Sequence, residues 1–95
     1  MLRITKAFEN DTTVIYKIEG KVTDETLDMW TKEIQDLKKV TQRQIILDLC
    51  QVWFIHAKAI KVLVESMSAD IYLLNCSMEV RNLLHAAGLS KRVLE

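Results

Sequence analysis

Apolar residues recur along the chain with two periods, and the changes from one period to the other mark the elements. In "MLRITKAF", Leu2, Ile4 and the position of Lys6 alternate with Arg3 and Thr5, the two-residue period of an edge strand. The polar "ENDT" that follows carries turn chemistry at Asn10 and Asp11. "TVIYKIEG" resumes the alternation, with Val14, Tyr16 and Ile18 set against Ile15, Lys17 and Glu19, so the two runs predict a hairpin. Thr23 and Asp24 are N-cap types that predict the start of a helix, and acidic Asp24 and Glu25 suit the positive end of its dipole. Leu27, Trp30, Ile34 and Leu37 then keep helical spacing, with Lys38 and Lys39 closing the last turn.

"RQIILDLCQVWF", residues 43–54, is dense enough in apolar residues for a strand covered on both faces. Ile60, Leu63, Val64 and Met67 predict a short amphipathic helix, and "ADIYLLNC" another buried strand. Ser77 can cap a last helix carrying Val80, Leu83, Leu84 and Ala87, and Gly88 stands where a left-handed C-terminal residue belongs. "RVLE" is a candidate short final strand. The order is β-β-α-β-α-β-α. Strands separated by helices need crossovers, so an antiparallel hairpin leads into parallel pairing: an α/β chain with a mixed sheet.

Composition narrows the function without naming it. The chain has 95 residues, enough for one core and read as one domain over residues 1–95. Its formal net charge is zero, so no overall basic field draws it to nucleic acid, and self-association is not opposed by charge. "MLRITKAFEN" carries early charges and no long apolar run, and nothing downstream approaches a membrane span. A cytoplasmic domain without membrane insertion is expected. Cys50 and Cys76 lack CxxC spacing and sit in apolar runs, where thiols behave as small buried hydrophobes; a disulfide or metal pair is the alternative.

Three pieces in order carry a family resemblance: "KIEGKV", "IILDLCQVWFI" with Asp48, and "MEVRNLLHAAGL". Together they resemble the STAS domain family of anti-sigma-factor antagonists and the cytoplasmic tails of sulfate-type transporters. The resemblance implies a mixed four- to five-stranded sheet with an N-terminal hairpin and helices packed mainly on one face. By comparison with the family, the helix in residues 59–68 is about one turn short.

The resemblance also gives meaning to "HAKA", residues 56–59, between the apolar strand and "IKVL". In antagonists of this family the turn reads Asp-Ser-Ser/Thr-Gly, and a partner kinase phosphorylates the second hydroxyl residue. By position, His56 stands at the Asp, Ala57 at the first Ser, Lys58 at the phosphoacceptor and Ala59 at the Gly. Thr23 stands where the family often has an acidic residue. Lys58 has no hydroxyl to phosphorylate, and it brings a positive charge to a helix N-terminus that favours anions.

The resemblance thus implies a protein-interaction module with a degenerate phosphorylation motif. Trp53, His56, Lys58, Thr23 and Asp24 are the candidate partner-binding residues. The partner is a protein, either a kinase or anti-sigma-type ATPase or a transporter subunit. No cofactor is implied. The alternatives are a small-ligand or anion sensor, with Lys58 pairing an anion, and an accessory subunit of a transporter or signalling complex; a homodimer is compatible with the charge.

Other residues have plainer readings beside the functional ones. His56 reads as a polar turn residue before a metal ligand paired with Cys50. His85, beside the apolar stripe of the last helix, reads as structural. Lys58 reads either as a solvated side chain or as a contact for an acidic partner. Ser66, Ser68 and Ser77 are candidates for a displaced phosphorylation site, Ser77 being better explained as a cap. Of Trp53 and Phe54, one should be buried and the other free for contact. Trp30 belongs to the core. With no Gly-rich phosphate loop, HExxH or Gly-x-Ser-x-Gly, and with Asp48 inside an apolar strand, no enzyme is expected.

Overall fold

Crossover handedness arranges this molecule. In a computed structural model describing residues 2–37, 39, 43–66, 70–74 and 77–94, the strands lie in the sheet in the order in which they occur in the chain. They are β1 (Leu2–Glu9), β2 (Thr13–Val22), β3 (Gln44–Ile55), β4 (Ile71–Leu74) and β5 (Val93–Leu94). The helices are α1 (Leu27–Leu37), α2 (Ala57–Glu65) and α3 (Met78–Ala86), followed by a single 3-10 turn at Ser90–Arg92. β1 and β2 pair antiparallel, and every later pairing is parallel. Right-handed crossovers that always advance in one direction put successive helices on one face of the sheet. The mixed sheet, the leading hairpin and the short final strand are as the sequence predicts.

Asn10 closes the hairpin: its side-chain oxygen accepts from the backbone N–H groups of Thr12 at 2.9 Å and Thr13 at 2.8 Å. Arg43 donates to the Glu9 carboxylate and to the Asn10 carbonyl, tying the hairpin tip to the entrance of β3. The guanidinium and the Lys6 ammonium hold the exposed Glu9 carboxyl below its ordinary value of 4.5.

The core lies between the sheet and the helices. Val14, Ile18 and Val22 of β2 and Ile45, Leu47 and Leu49 of β3 meet Trp30, Ile34, Leu63 and Leu84 from the helices. Trp30 is fully buried, and its indole Nε1–H donates to the Ala59 carbonyl at 3.1 Å, pinning α1 to the first turn of α2. Ser77 caps α3 through its hydroxyl, which accepts from the Val80 N–H at 3.2 Å. At the other end of α3, Gly88 takes φ +83° and the Leu89 N–H reaches the Leu84 carbonyl at 2.9 Å, a Schellman closure.

Several sequence expectations need correction. Regular α1 begins at Leu27, not at Asp24. Thr26 N–H donates to the Thr23 carbonyl and the Thr26 hydroxyl accepts from the Thr23 N–H, closing a tighter i to i+3 turn ahead of the helix. α1 ends at Leu37, with Lys39 in the following turn; Lys38 lies outside the described residues, as do Met67, Ser68 and Cys76. Val64 and Leu83, expected on apolar faces, are exposed at the helix surfaces. Cys50 is exposed instead of buried, because β3 does not alternate through its second half.

β3 bulges twice. Lys17 and Glu19 of β2 pair with Asp48 and Gln51, and Gly20 and Lys21 pair with Val52 and Phe54. Each step gives β3 one residue more than its partner. Leu49, Val52 and Ile55 therefore face the core, while Cys50, Gln51, Trp53 and Phe54 turn outward. Asp48 supports the first bulge: its Oδ1 accepts from the Cys50 N–H at 3.1 Å.

Two outcomes follow for stability. Trp30→Ala should cost about 3–5 kcal/mol in urea unfolding, since it removes a buried indole and leaves the Ala59 carbonyl without its donor. Because the Glu9 carboxyl is held low in the folded chain, its contribution is complete above pH 4.5 and is lost as pH falls below that value. The difference in urea midpoint between the native chain and Glu9→Gln should accordingly shrink on acidification.

Candidate functional site

β3 delivers its last residue into a turn that is one amino acid long. Ile55 is buried and ends the strand, His56 is extended with φ −70° and ψ 149°, and α2 starts at Ala57. The His56 N–H donates to the Val22 carbonyl at 2.8 Å, which holds the turn to the end of β2. The imidazole Nδ1 accepts from the Lys58 N–H at 3.0 Å, so a histidine fills the N-cap role more often taken by Asp, Asn, Ser or Thr. The His56 carbonyl accepts from the N–H groups of Ala59 at 2.9 Å and Ile60 at 3.2 Å. Three of the N–H groups at the start of α2 thus have partners supplied by one residue.

Ala57 and Lys58 point to solvent, whereas Ala59 is fully buried beneath the turn with its carbonyl on Trp30. An alanine methyl therefore packs where the family resemblance places glycine. Asp24, in the tight turn ahead of α1, faces this helix end. Its Oδ1 lies 3.6 Å from Lys58 Nζ and 3.8 Å from His56 Nε2. All three side chains keep solvent contact, so the pairings are weak individually. Thr23, Asp24 and His56 share a shallow cleft with Lys21 and Glu25.

Trp53 completes the region from the sheet side. The second bulge leaves it 67% exposed, and Lys21 Nζ sits 4.6 Å from the centroid of its ring. Phe54 is also exposed, at 46%, so neither aromatic is buried, contrary to the expectation of one inside and one outside. Lys21 belongs to this surface, lining the cleft of His56 and covering the Trp53 ring, and escapes the sequence reading. For the two rings, a pair of adjacent aromatics at a strand end is the visible signal, but the bulge that turns both outward is not.

The remaining candidates separate from the site. Cys50 and His56 do not come together with other ligands: among the described residues, no group of three or more His, Cys, Asp or Glu is placed to hold a metal ion. Ser66 is buried and donates its hydroxyl to the Val62 carbonyl at 2.9 Å, a C-terminal cap of α2. Ser77 is the α3 cap, and His85 is exposed on α3. Among the described residues no helix is long and apolar enough to cross a membrane.

A one-residue strand-to-helix turn after a central parallel strand, with helices on one side of a hairpin-led sheet, defines the class. The family model of the STAS domain matches residues 5–94, and the chain belongs to that family. Solved structures agree on the fold. The anti-sigma factor antagonist from Mycobacterium paratuberculosis is 16% identical with a TM-score of 0.80, covering 96% of this chain and 81% of its own. The anti-sigma factor antagonist SpoIIAA in its unphosphorylated form is 18% identical with a TM-score of 0.75, covering 97% and 86%. A sulfate transporter family protein from Wolinella succinogenes is 19% identical with a TM-score of 0.64, covering 85% and 75%. No curated protein matches this chain.

The cap makes a local prediction. His56→Ala should lower stability by about 0.5–2 kcal/mol in urea unfolding, while His56→Asp or His56→Asn should retain most of it by keeping a side-chain acceptor.

Proposed function

We propose that this chain is a non-enzymatic protein-interaction module, resembling an anti-sigma-factor antagonist, that works in cytoplasmic signalling or transcriptional regulation. Its docking surface is the β3–α2 turn: Trp53 from the sheet, His56 and Lys58 from the turn, and Thr23 and Asp24 from the segment facing it. The observation that carries the reading is Trp53, a large ring turned out by a bulge three residues before the cap of α2 and linked to the His56 cleft through Lys21. Exposed aromatics of this kind anchor protein interfaces because they bury much area with little loss of side-chain freedom.

The family resemblance aligns Lys58 with the phosphoacceptor, and SpoIIAA is known in a phosphorylated form. Lysine offers no hydroxyl, so docking here is not switched by phosphorylation at this position. A kinase or anti-sigma-type ATPase is the first partner class, and the likeness to a sulfate transporter family protein adds a transporter subunit. An anion sensor centred on Lys58 has less support, since its ammonium already faces Asp24 and an anion would compete with that carboxylate.

Affinity capture from lysate of the source organism tests the reading, comparing the native chain with the double variant Trp53→Ala, Lys58→Glu. A partner captured by the native chain should be lost by the variant while circular dichroism shows the fold retained. Equal capture by both would move the interface away from the turn.

A further inference from the structure

We propose that His56 makes the turn acid-responsive, so that a proton acts at the place where the family's antagonists use a phosphate. The inference begins with one hydrogen bond. Nδ1 of His56 accepts from the Lys58 N–H at 3.0 Å, and an imidazole that accepts at Nδ1 carries its single proton on Nε2. Nε2 is the atom directed at Asp24, 3.8 Å from Oδ1. A second proton can add only at Nδ1. It would set an N–H against the Lys58 N–H, and the cap would lose its acceptor.

The charges around the ring determine where the imidazolium goes. The N-terminal end of α2 repels a cation, as do Lys58 on the helix and Lys21 across the cleft. Asp24 and Glu25, from the turn ahead of α1, attract it. The ring therefore swings from the helix end toward Asp24. Lys58 Nζ already lies 3.6 Å from the same Oδ1, so two cations compete for one carboxylate. Acidification frays the first turn of α2 and releases the Lys58 ammonium into solvent. Both changes fall within the surface assigned to docking, and only the consequence for binding rests on that assignment.

Nuclear magnetic resonance on the whole chain tests the device without a partner. Between about pH 8 and about pH 5 the Lys58 amide should shift upfield with the same midpoint as the His56 ring, and lose exchange protection. Replacing the exposed His85, as in His85→Gln, should leave the response of that amide unchanged. His56→Asn keeps an acceptor that does not titrate and should hold the Lys58 amide fixed. In Asp24→Asn the amide should still follow the ring.

A His56 proton on Nδ1 at high pH, a Lys58 amide that ignores the ring, or one that still titrates in His56→Asn would each overturn the proposal. Failure of the docking reading is seen separately. If the amide follows the ring but capture is unchanged by Trp53→Ala, Lys58→Glu, the acid-responsive cap stands and the interface lies elsewhere.

Discussion

β3 is longer than its partner, and the site depends on that mismatch. Between the pairings Thr13 with Gln44 and Val22 with Ile55, β2 spans 10 residues and β3 spans 12. Two bulges absorb the difference. A strictly alternating β3 that keeps Ile45, Leu47 and Leu49 inside would also turn Gln51 and Trp53 inward. The bulges replace both with Val52 and bring Ile55 back to the core side. An amide is spared burial and an indole is placed in solvent. Because the number of added residues is even, the turn still leaves β3 with the correct side of the chain facing α2.

Much of the architecture is visible in the sequence because it rests on local periodicity and chemistry. Trp30, Ile34 and Leu37 mark the buried stripe of α1, Ser77 begins α3 and Gly88 ends it, each for a reason contained within a few residues. The bulges are not local. Whether Trp53 faces in or out depends on its register with Gly20 and Lys21, distant in sequence, so the exposure of Cys50 and Phe54 is hidden with it. The start of α1 is missed for a different reason. Thr23 and Asp24 are good caps, but the Thr26 hydroxyl closes a tighter turn first.

The candidate site was half legible. The family resemblance singles out positions 56–59, and absence of a hydroxyl at Lys58 is plain from the letters. That His56 replaces an acidic cap by using Nδ1 is not, because composition does not tell which ring nitrogen meets the helix. Nor does it tell that Asp24 faces both the His56 ring and the Lys58 ammonium across the cleft. Away from the turn, the single-sided placement of helices leaves Ile15, Ile46 and Tyr72 in one half-exposed row across the other face of the sheet. Topology alone dictates that exposure.

The chain contains two tryptophans in opposite surroundings. Trp30 is sealed between α1 and α2 with its N–H bonded, whereas Trp53 stands in solvent under a lysine. Their emission is therefore separable: a dry indole emits to the blue and resists soluble quenchers, and a wet one emits to the red and is quenched readily. One ring reports on the closed core and the other on what touches the turn, so the molecule carries an internal reference and an external sensor without any added label.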